Sequence, residues 1–167
     1  PAYGGAGGGY RELCVVVEEL ARACAATSLI YAAHLSLAAQ AIARFGTEDQ
    51  KRRFLPPLAR GEKLAAFALS EPGAGSDAAA LATTATRGDG QYRLNGSKIF
   101  ITNGDVAETI VVFATHDRSL RARGIDCFVV EKGSPGFSAN KQAGKMGLRA
   151  SSTAELVFQD CPVPEEN

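Results

Sequence analysis

The sequence predicts an α+β fold, a helical segment followed by an antiparallel β-barrel domain. Three observations carry this. Up to about residue 60, apolar residues recur at three- and four-residue spacing. Beyond Gly61 they fall into short runs rich in β-branched and aromatic residues. Glycine-containing turn signals divide those runs, and no helix-length pattern lies among them.

The elements follow in order. Leu13, Val16, Val17, Leu20 and Ala21 form a helical stripe, with Arg11, Glu12, Glu18, Glu19 and Arg22 mostly off it. Thr27 or Ser28 is placed to cap a second helix through Leu29, Ala33, Leu37, Ala41 and Phe45, closed by Gly46. The scarcity of charge between Leu29 and Ala43 predicts burial on most sides of that helix. Thr47-Glu48-Asp49-Gln50 reads as a capping box for a third helix, ended or kinked by Pro56-Pro57. Lys63 to Ala68 suits a buried strand. Further strands are predicted at Thr84–Arg87, Gln91–Leu94, Ser97–Thr102, Thr109–Thr115, Ile125–Glu131 and Ala154–Phe158. Gly88-Asp89-Gly90 and Asn95-Gly96 are hairpin signals, because both supply positive φ at low cost. The domain boundary falls between residues 1–63 and 64–167.

Composition narrows the function classes. The 167 residues are 46% hydrophobic and carry 18 basic and 18 acidic side chains, with no long run of either sign. That balance offers no basic face for nucleic acid and none for an anionic membrane surface. No apolar run is long enough to span a bilayer. Cys14, Cys24, Cys127 and Cys161 are scattered, without metal-ligand spacing, and read as four buried thiols in a reducing compartment. Two histidines, His34 and His116, leave no room for a His-rich metal site. The chain starts at Pro1 without methionine and stops after Pro-Val-Pro, which reads as a piece of something longer.

Two motifs carry the chemistry. Leu69-Ser70-Glu71-Pro72-Gly73-Ala74-Gly75-Ser76-Asp77 follows a strand with a glycine loop that lets backbone approach a ligand, with hydroxyls beside it. Lys98-Ile99-Phe100-Ile101-Thr102-Asn103-Gly104-Asp105 comes about twenty-five residues later. A flat aromatic ligand with hydrogen-bonding atoms along one edge needs amides and hydroxyls at that edge and an apolar wall over one face. Phe67 to Ser70 and Phe100 to Thr102 offer that mixture. Residue type alone reads Phe67, Phe100 and Ile101 as core, Thr102 as a strand hydroxyl and Ser76 as a turn serine.

Together the motifs resemble the acyl-CoA dehydrogenase family of flavoenzymes. Ala68 to Asp77, followed by the small Ala80, fits the family's first signature, and Asn95 to Gly104 its next block. Lys145 to Asn167 resembles the end of the middle domain. Tyr3 to Tyr10, Glu18 to Leu29 and Phe45 to Pro72 resemble the preceding helical region in order. The resemblance covers essentially the whole chain and implies helices, a central β-barrel and a second helical bundle absent from these residues.

It also implies roles. FAD is the cofactor, bound by Phe67, Ala68, Leu69, Ser70, Gly75, Ser76, Phe100, Ile101 and Thr102. Leu69 and Ser70 serve the pyrimidine part, Thr102 faces N5, and Phe100 lies against the ring where many relatives carry tryptophan. Ser76 also contacts the acyl-CoA substrate. The implied reaction is α,β-dehydrogenation: a carboxylate takes the α-proton while the β-hydride passes to N5, and electrons go to an electron-transferring flavoprotein. The base is a glutamate of the second bundle, so no catalytic residue is assigned here, Glu71 is read as shaping its turn, and the chain alone is expected to be inactive. Asp77 is read as bonding loop amides. Arg118, Arg121 and Arg123 read as a solvated connection, or one of them as a CoA phosphate ligand. Arg149, Ser151 and Ser152 orient a loop or a subunit contact. The family further implies a homotetrameric dimer of dimers in fatty-acid β-oxidation, in bacterial cytoplasm or mitochondrial matrix. Rival readings are an acyl-CoA oxidase or flavin monooxygenase of the same superfamily, a non-catalytic scaffold, or an inert fragment.

Overall fold

The computed structural model describes the whole chain, Pro1–Asn167. Three helices precede a seven-stranded sheet. Helix α1 is Tyr10–Ala32, continued by a π-helical stretch Ala33–Ala39 into α2, Gln40–Phe45. Helix α3 is Glu48–Ala59. Its start is the predicted capping box: the Gln50 amide donates to Thr47 Oγ1, and the Thr47 amide donates to Gln50 Oε1 at 2.8 Å.

The break in the first helix differs from expectation. Neither Thr27 nor Ser28 caps; Cys24 is the non-helical residue, at φ −156° and ψ 103°. Hydrogen bonds from the Thr27 hydroxyl and amide draw its thiol below the ordinary range. Ser28 instead donates to the Val17 carbonyl at 2.7 Å. A side chain satisfied by the preceding helix is not available as a cap. The thiols are corrected as well: Cys14, Cys24 and Cys127 are exposed and only Cys161 is buried. Within 167 residues α1 packs on one side, so its stripe is half-covered: Leu13, Val17 and Leu20 are half-buried while Val16 is exposed. The stretch from Leu29 to Ala43 is mostly half-buried too, with Leu37 exposed and only Ala33, His34, Ala38 and Ile42 buried.

The strands are β1 (Ala65–Ala68), β2 (Thr84–Gly88), β3 (Gln91–Thr102), β4 (Thr109–Thr115), β5 (Ile125–Glu131), β6 (Phe137–Lys141) and β7 (Thr153–Pro164). Their order is β1-β4-β2-β3-β7-β6, with β5 on β4. The sheet is curled and mixed, which corrects the antiparallel barrel: β1 runs parallel to β4, Ala65 opposite Thr109, and Thr84 of β2 meets Thr115 in parallel. Hairpins impose antiparallel pairing only on consecutive strands, and the whole β2–β3 hairpin intervenes between β1 and β4.

Gly88 to Gln91 is a hairpin, with Asp89 and Gly90 at φ 52° and 72°. Asn95-Gly96 is a bulge inside the continuous β3, where the register against β7 shifts between Leu94 and Gly96. Gly96 sits at φ 147°, and a Cβ there would lie 2.7 Å from Thr83 Cα, so close backbone approach rather than a turn demands the glycine. Strand β6 lies at the sheet edge, where only Phe137 and Ala139 turn to the core, an alternation too short to announce it.

Two cores result. One lies within the curl of the sheet, around Leu94, Ile110, Leu156 and Phe158. The other joins sheet to helices through Ile42, Phe54, Leu58, Val111 and Val129. No helix is long and apolar enough to cross a membrane.

Candidate functional site

The two sequence motifs meet at one corner of the sheet. After β1 the chain runs on beside β3, where the Ile99 amide donates to the Ser70 carbonyl at 2.9 Å. Leu69 and Ser70 are half-buried there, and Gly75 and Ser76 are exposed in the loop that follows. A one-turn pairing of Glu71 with Ala74 closes that loop.

Strand β3 carries a second bulge, between Lys98 and Ile101. It turns successive side chains in unusual directions: Lys98 fully buried, Phe100 65% exposed, Ile101 buried in the sheet core, Thr102 half-buried. Phe100 sits at φ 58°, in the left-handed region that a bulky side chain normally avoids. Such backbone costs on the order of 1–3 kcal/mol and persists where the surroundings over-determine it. The result is an aromatic ring standing in solvent beside half-buried amides and hydroxyls.

Beneath this corner lies a buried ion pair. Lys98 Nζ donates to Glu71 Oε1 at 2.7 Å and to the Leu69 carbonyl at 3.2 Å. The Glu71 carboxylate also accepts from the Ala82 and Thr83 amides, at 2.6 and 3.0 Å. Burial pushes the Glu71 carboxyl up, but hydrogen bonds from Lys98, Thr83 and Ala82 outweigh it and hold the group below the usual carboxylate range. Burial draws the Lys98 ammonium down against the pull of Glu71. The carboxylate is buried, and both of its oxygens accept hydrogen bonds from the chain. The hydrogen bonds of the corner run through this pair and the backbone, and none engages the hydroxyls of Ser70, Ser76 or Thr102.

The remaining candidates divide. Phe67 turns toward the helical layer, its ring 5.0 Å from that of Phe113, and Ala68 lies in the sheet core. Asp77 bonds no loop amide; it holds Arg121 at 2.8 and 3.0 Å, docking the short 3₁₀ turn Arg118–Gly124 onto the glycine loop. Ser152 donates to Asp105, and Arg149 Nε to the Lys145 carbonyl. A polar cleft of about 400 Å³ opens between the end of β6 and the start of β7, lined by Lys141, Lys145, Arg149 and Ser151 among others. Lys145 Nζ reaches Thr153 Oγ1 there, and Thr153 is the cross-strand partner of Thr102.

Sequence reasoning missed Lys98, His34 and Asn103. Asn103 follows Thr102 at φ 66°, fully buried, and donates to the Ala65 and Ile30 carbonyls at 3.2 and 3.4 Å. Its Oδ1 is buried without a partner. The available signal was the charge of Lys98 directly ahead of the apolar run Ile99-Phe100-Ile101, since a lysine buried there requires a counter-charge.

Comparison with known proteins shows what the chain as a whole resembles. The model of the acyl-CoA dehydrogenase N-terminal domain matches residues 1–62, and that of the acyl-CoA dehydrogenase middle domain matches residues 66–161. The short-chain specific acyl-CoA dehydrogenase of Clostridium acetobutylicum is 52% identical over 99% of this chain and 44% of its own length. The mitochondrial isovaleryl-CoA dehydrogenase of Solanum tuberosum is 46% identical over 99% and 40%. The chain thus spans less than half the length of these curated relatives. Butyryl-CoA dehydrogenase from Megasphaera elsdenii superposes with a TM-score of 0.88 at 52% identity, covering 90% of this chain and 40% of that one. A chain solved in work on the electron transferring flavoprotein of Acidaminococcus fermentans and flavin-based electron bifurcation superposes at 0.97, with 49% identity and coverage of 99% and 44%. A glutaryl-CoA dehydrogenase from Mycobacterium smegmatis in complex with FADH2 superposes at 0.78, with 39% identity and coverage of 83% and 35%.

Proposed function

The chain belongs to the acyl-CoA dehydrogenase family, and on that premise we propose that it forms the flavin-edge wall and part of the substrate cleft of an FAD-dependent acyl-CoA dehydrogenase. The observation that carries the reading is Phe100: an aromatic side chain exposed on a left-handed bulge, next to Thr102 and opposite Leu69 and Ser70. A packed core does not need that backbone; a planar ligand does. The donor set fits FAD, since its ring edge calls for amides and hydroxyls and its face for an apolar plate.

Bound FAD supplies the two-electron acceptor for oxidation of the Cα–Cβ bond of an acyl thioester. In this proposal the backbone of Leu69 and Ser70 and the Thr102 hydroxyl orient the ring edge, Phe100 covers part of one face, and Ser76 serves both cofactor and acyl-CoA from the glycine loop. Phe67 and Ala68 act behind the wall, Ile101 anchors its strand, and Gly75 keeps the loop free of a side chain. Catalysis by alignment places a premium on rigid walls, and a bulge pinned from below is rigid.

The base comes from outside these residues. Glu71 is the buried carboxylate at the corner, and its three hydrogen bonds, from Lys98 and from the Ala82 and Thr83 amides, hold it ionised and occupied. Short acyl chains are the substrates we favour, given the short-chain and butyryl relatives. An electron-transferring flavoprotein is the proposed acceptor, and a dimer of dimers the proposed assembly.

The test is anaerobic titration of the protein at its natural length, loaded with FAD, by butyryl-CoA and longer acyl-CoAs. Bleaching of the flavin absorbance by short chains, with reoxidation by an electron-transferring flavoprotein faster than by oxygen, is expected. Absence of bleaching by any acyl-CoA would sink the reading, and oxygen as the faster acceptor would move it to the oxidases.

A further inference from the structure

The proposed flavin wall rests on a charged pair that no chemical step uses. Lys98 is 0% exposed and Glu71 6%. Burying two charges costs several kcal/mol per ion, and replacing such a pair with apolar residues is often neutral or stabilising. Stability is therefore a poor account of why an ammonium lies here. Position is a better one.

Each bond of the pair ends on backbone that belongs to the corner. The ammonium holds the Leu69 carbonyl, at the end of β1, while its own strand carries the Phe100 bulge two residues on. The carboxylate draws in the Ala82 and Thr83 amides, and Thr83 is the residue packed against Gly96 at the other bulge of β3. The Ile99 amide adds a bond to the Ser70 carbonyl between them. Three segments distant in sequence, 69–71, 82–83 and 96–99, thus converge on one ion pair. Removing the charges frees the Leu69 carbonyl and both amides at once.

We infer that Lys98 and Glu71 are a positioning pair, which sets the distance between the Leu69–Ser70 backbone and the Phe100–Thr102 bulge and so fixes the width of the flavin wall. The inference rests on the proposed FAD reading. Neither residue touches the cofactor in this account; they act through the backbone groups they hold.

The experiment compares the double variant Lys98→Met/Glu71→Leu with Lys98→Arg and with the parent protein at natural length. For each, apoprotein melting temperature, FAD dissociation constant and the visible flavin spectrum are measured. Apolar replacement leaves the Leu69 carbonyl and the Ala82 and Thr83 amides without these partners, so the apoprotein is expected to stay folded but to melt lower than the parent, while FAD affinity falls by about tenfold or more and the flavin bands shift as the wall loosens. Lys98→Arg, which keeps donors for both acceptors, is expected to retain most of the affinity and the parent spectrum. A folded double variant that binds FAD with parent affinity and spectrum, whatever its melting temperature, would overturn the pair's positioning role. If the double variant does not fold, Glu71→Gln takes its place: an amide nitrogen facing either Lys98 or the 82–83 amides loses an acceptor. It is expected to shift the spectrum, and an unchanged spectrum with unchanged affinity would overturn the inference equally. Failure of the parent itself to bind FAD would strike the proposed function, and this role with it.

Discussion

His34 accepts a hydrogen bond from the Ala65 amide at Nδ1, 3.0 Å away, and its Nε2 lies 3.1 Å from the Leu58 carbonyl. An amide can only donate and a carbonyl only accept, so the ring is neutral with its proton on Nε2. One buried side chain on the π-helical stretch thereby ties α3 to the first strand of the sheet, just ahead of the corner where Leu69 and Ser70 stand. Burial lowers the His34 pKa, against a smaller pull from the Leu58 carbonyl.

The pH dependence follows from that direction. Above the ordinary imidazole value of about 6.5 both folded and unfolded chains hold His34 neutral, and its contribution is complete. As pH falls below that value the unfolded chain takes up a proton the folded one resists, so stability drops until pH passes the folded pKa. His34→Ala should cost about 3 kcal/mol at neutral pH by orphaning two buried groups. It should also flatten the part of the acid-side slope between the two pKa values. Urea denaturation at a series of pH values reads both, and an unchanged acid slope would contradict the assignment.

Gly96→Ala should be among the most damaging single-methyl additions in the sheet. The new Cβ would stand 2.5 Å from Thr83 Oγ1 and 2.7 Å from Thr83 Cα, on backbone at φ 147°. A loss of roughly 2–4 kcal/mol is expected, in line with strain at a special backbone position. A melting temperature within a degree or two of the parent would show that the bulge yields easily.

Phe100→Gly separates stability from ligand binding. Glycine adopts positive φ freely, so relief of strain should offset the usual cost of glycine and leave the apoprotein as stable or slightly more so, by up to about 1 kcal/mol. FAD affinity should fall by about tenfold or more through loss of the ring's plate. The two measurements are expected to move in opposite directions. If both fall together, Phe100 is structural.

Thr102→Val is nearly isosteric and removes one hydroxyl that no group of the chain engages. Apoprotein stability should hardly change, while FAD retention weakens by roughly 1–3 kcal/mol through the lost hydrogen bond. Equilibrium dialysis against FAD measures it, and unaltered retention together with an unaltered spectrum would remove Thr102 from the site.

Asp77→Ala probes the opposite regime. Its pair with Arg121 is exposed on both sides, so less than about 1 kcal/mol of stability is at stake and salt should erase it. A larger loss would mean that the 3₁₀ turn at Arg118–Gly124 braces the glycine loop more firmly than a surface contact can.

What the sequence determined by itself was local or motif-borne. Period changed at Gly61 because helices and strands repeat differently, and the Thr47–Gln50 box and the Asp89–Gly90 turn are satisfied within a few residues of chain. Strands β4 and β5 were legible to the residue because each buries a continuous apolar run. The two signature blocks named the family for the same reason: a match needs only order and spacing. Tertiary structure alone decided the rest. Asn95-Gly96 carries the residues of a hairpin turn, yet β7 pairs along both of its flanks and Thr83 presses on the glycine, so it is a bulge. Direction of β1 against β4, the partner of Asp77, the neutral ring of His34 and the Lys98–Glu71 pair all depend on groups 24 to 44 residues away. No local preference encodes which distant carbonyl or carboxylate a buried charge will meet; only the tertiary fold brings them within hydrogen-bonding distance.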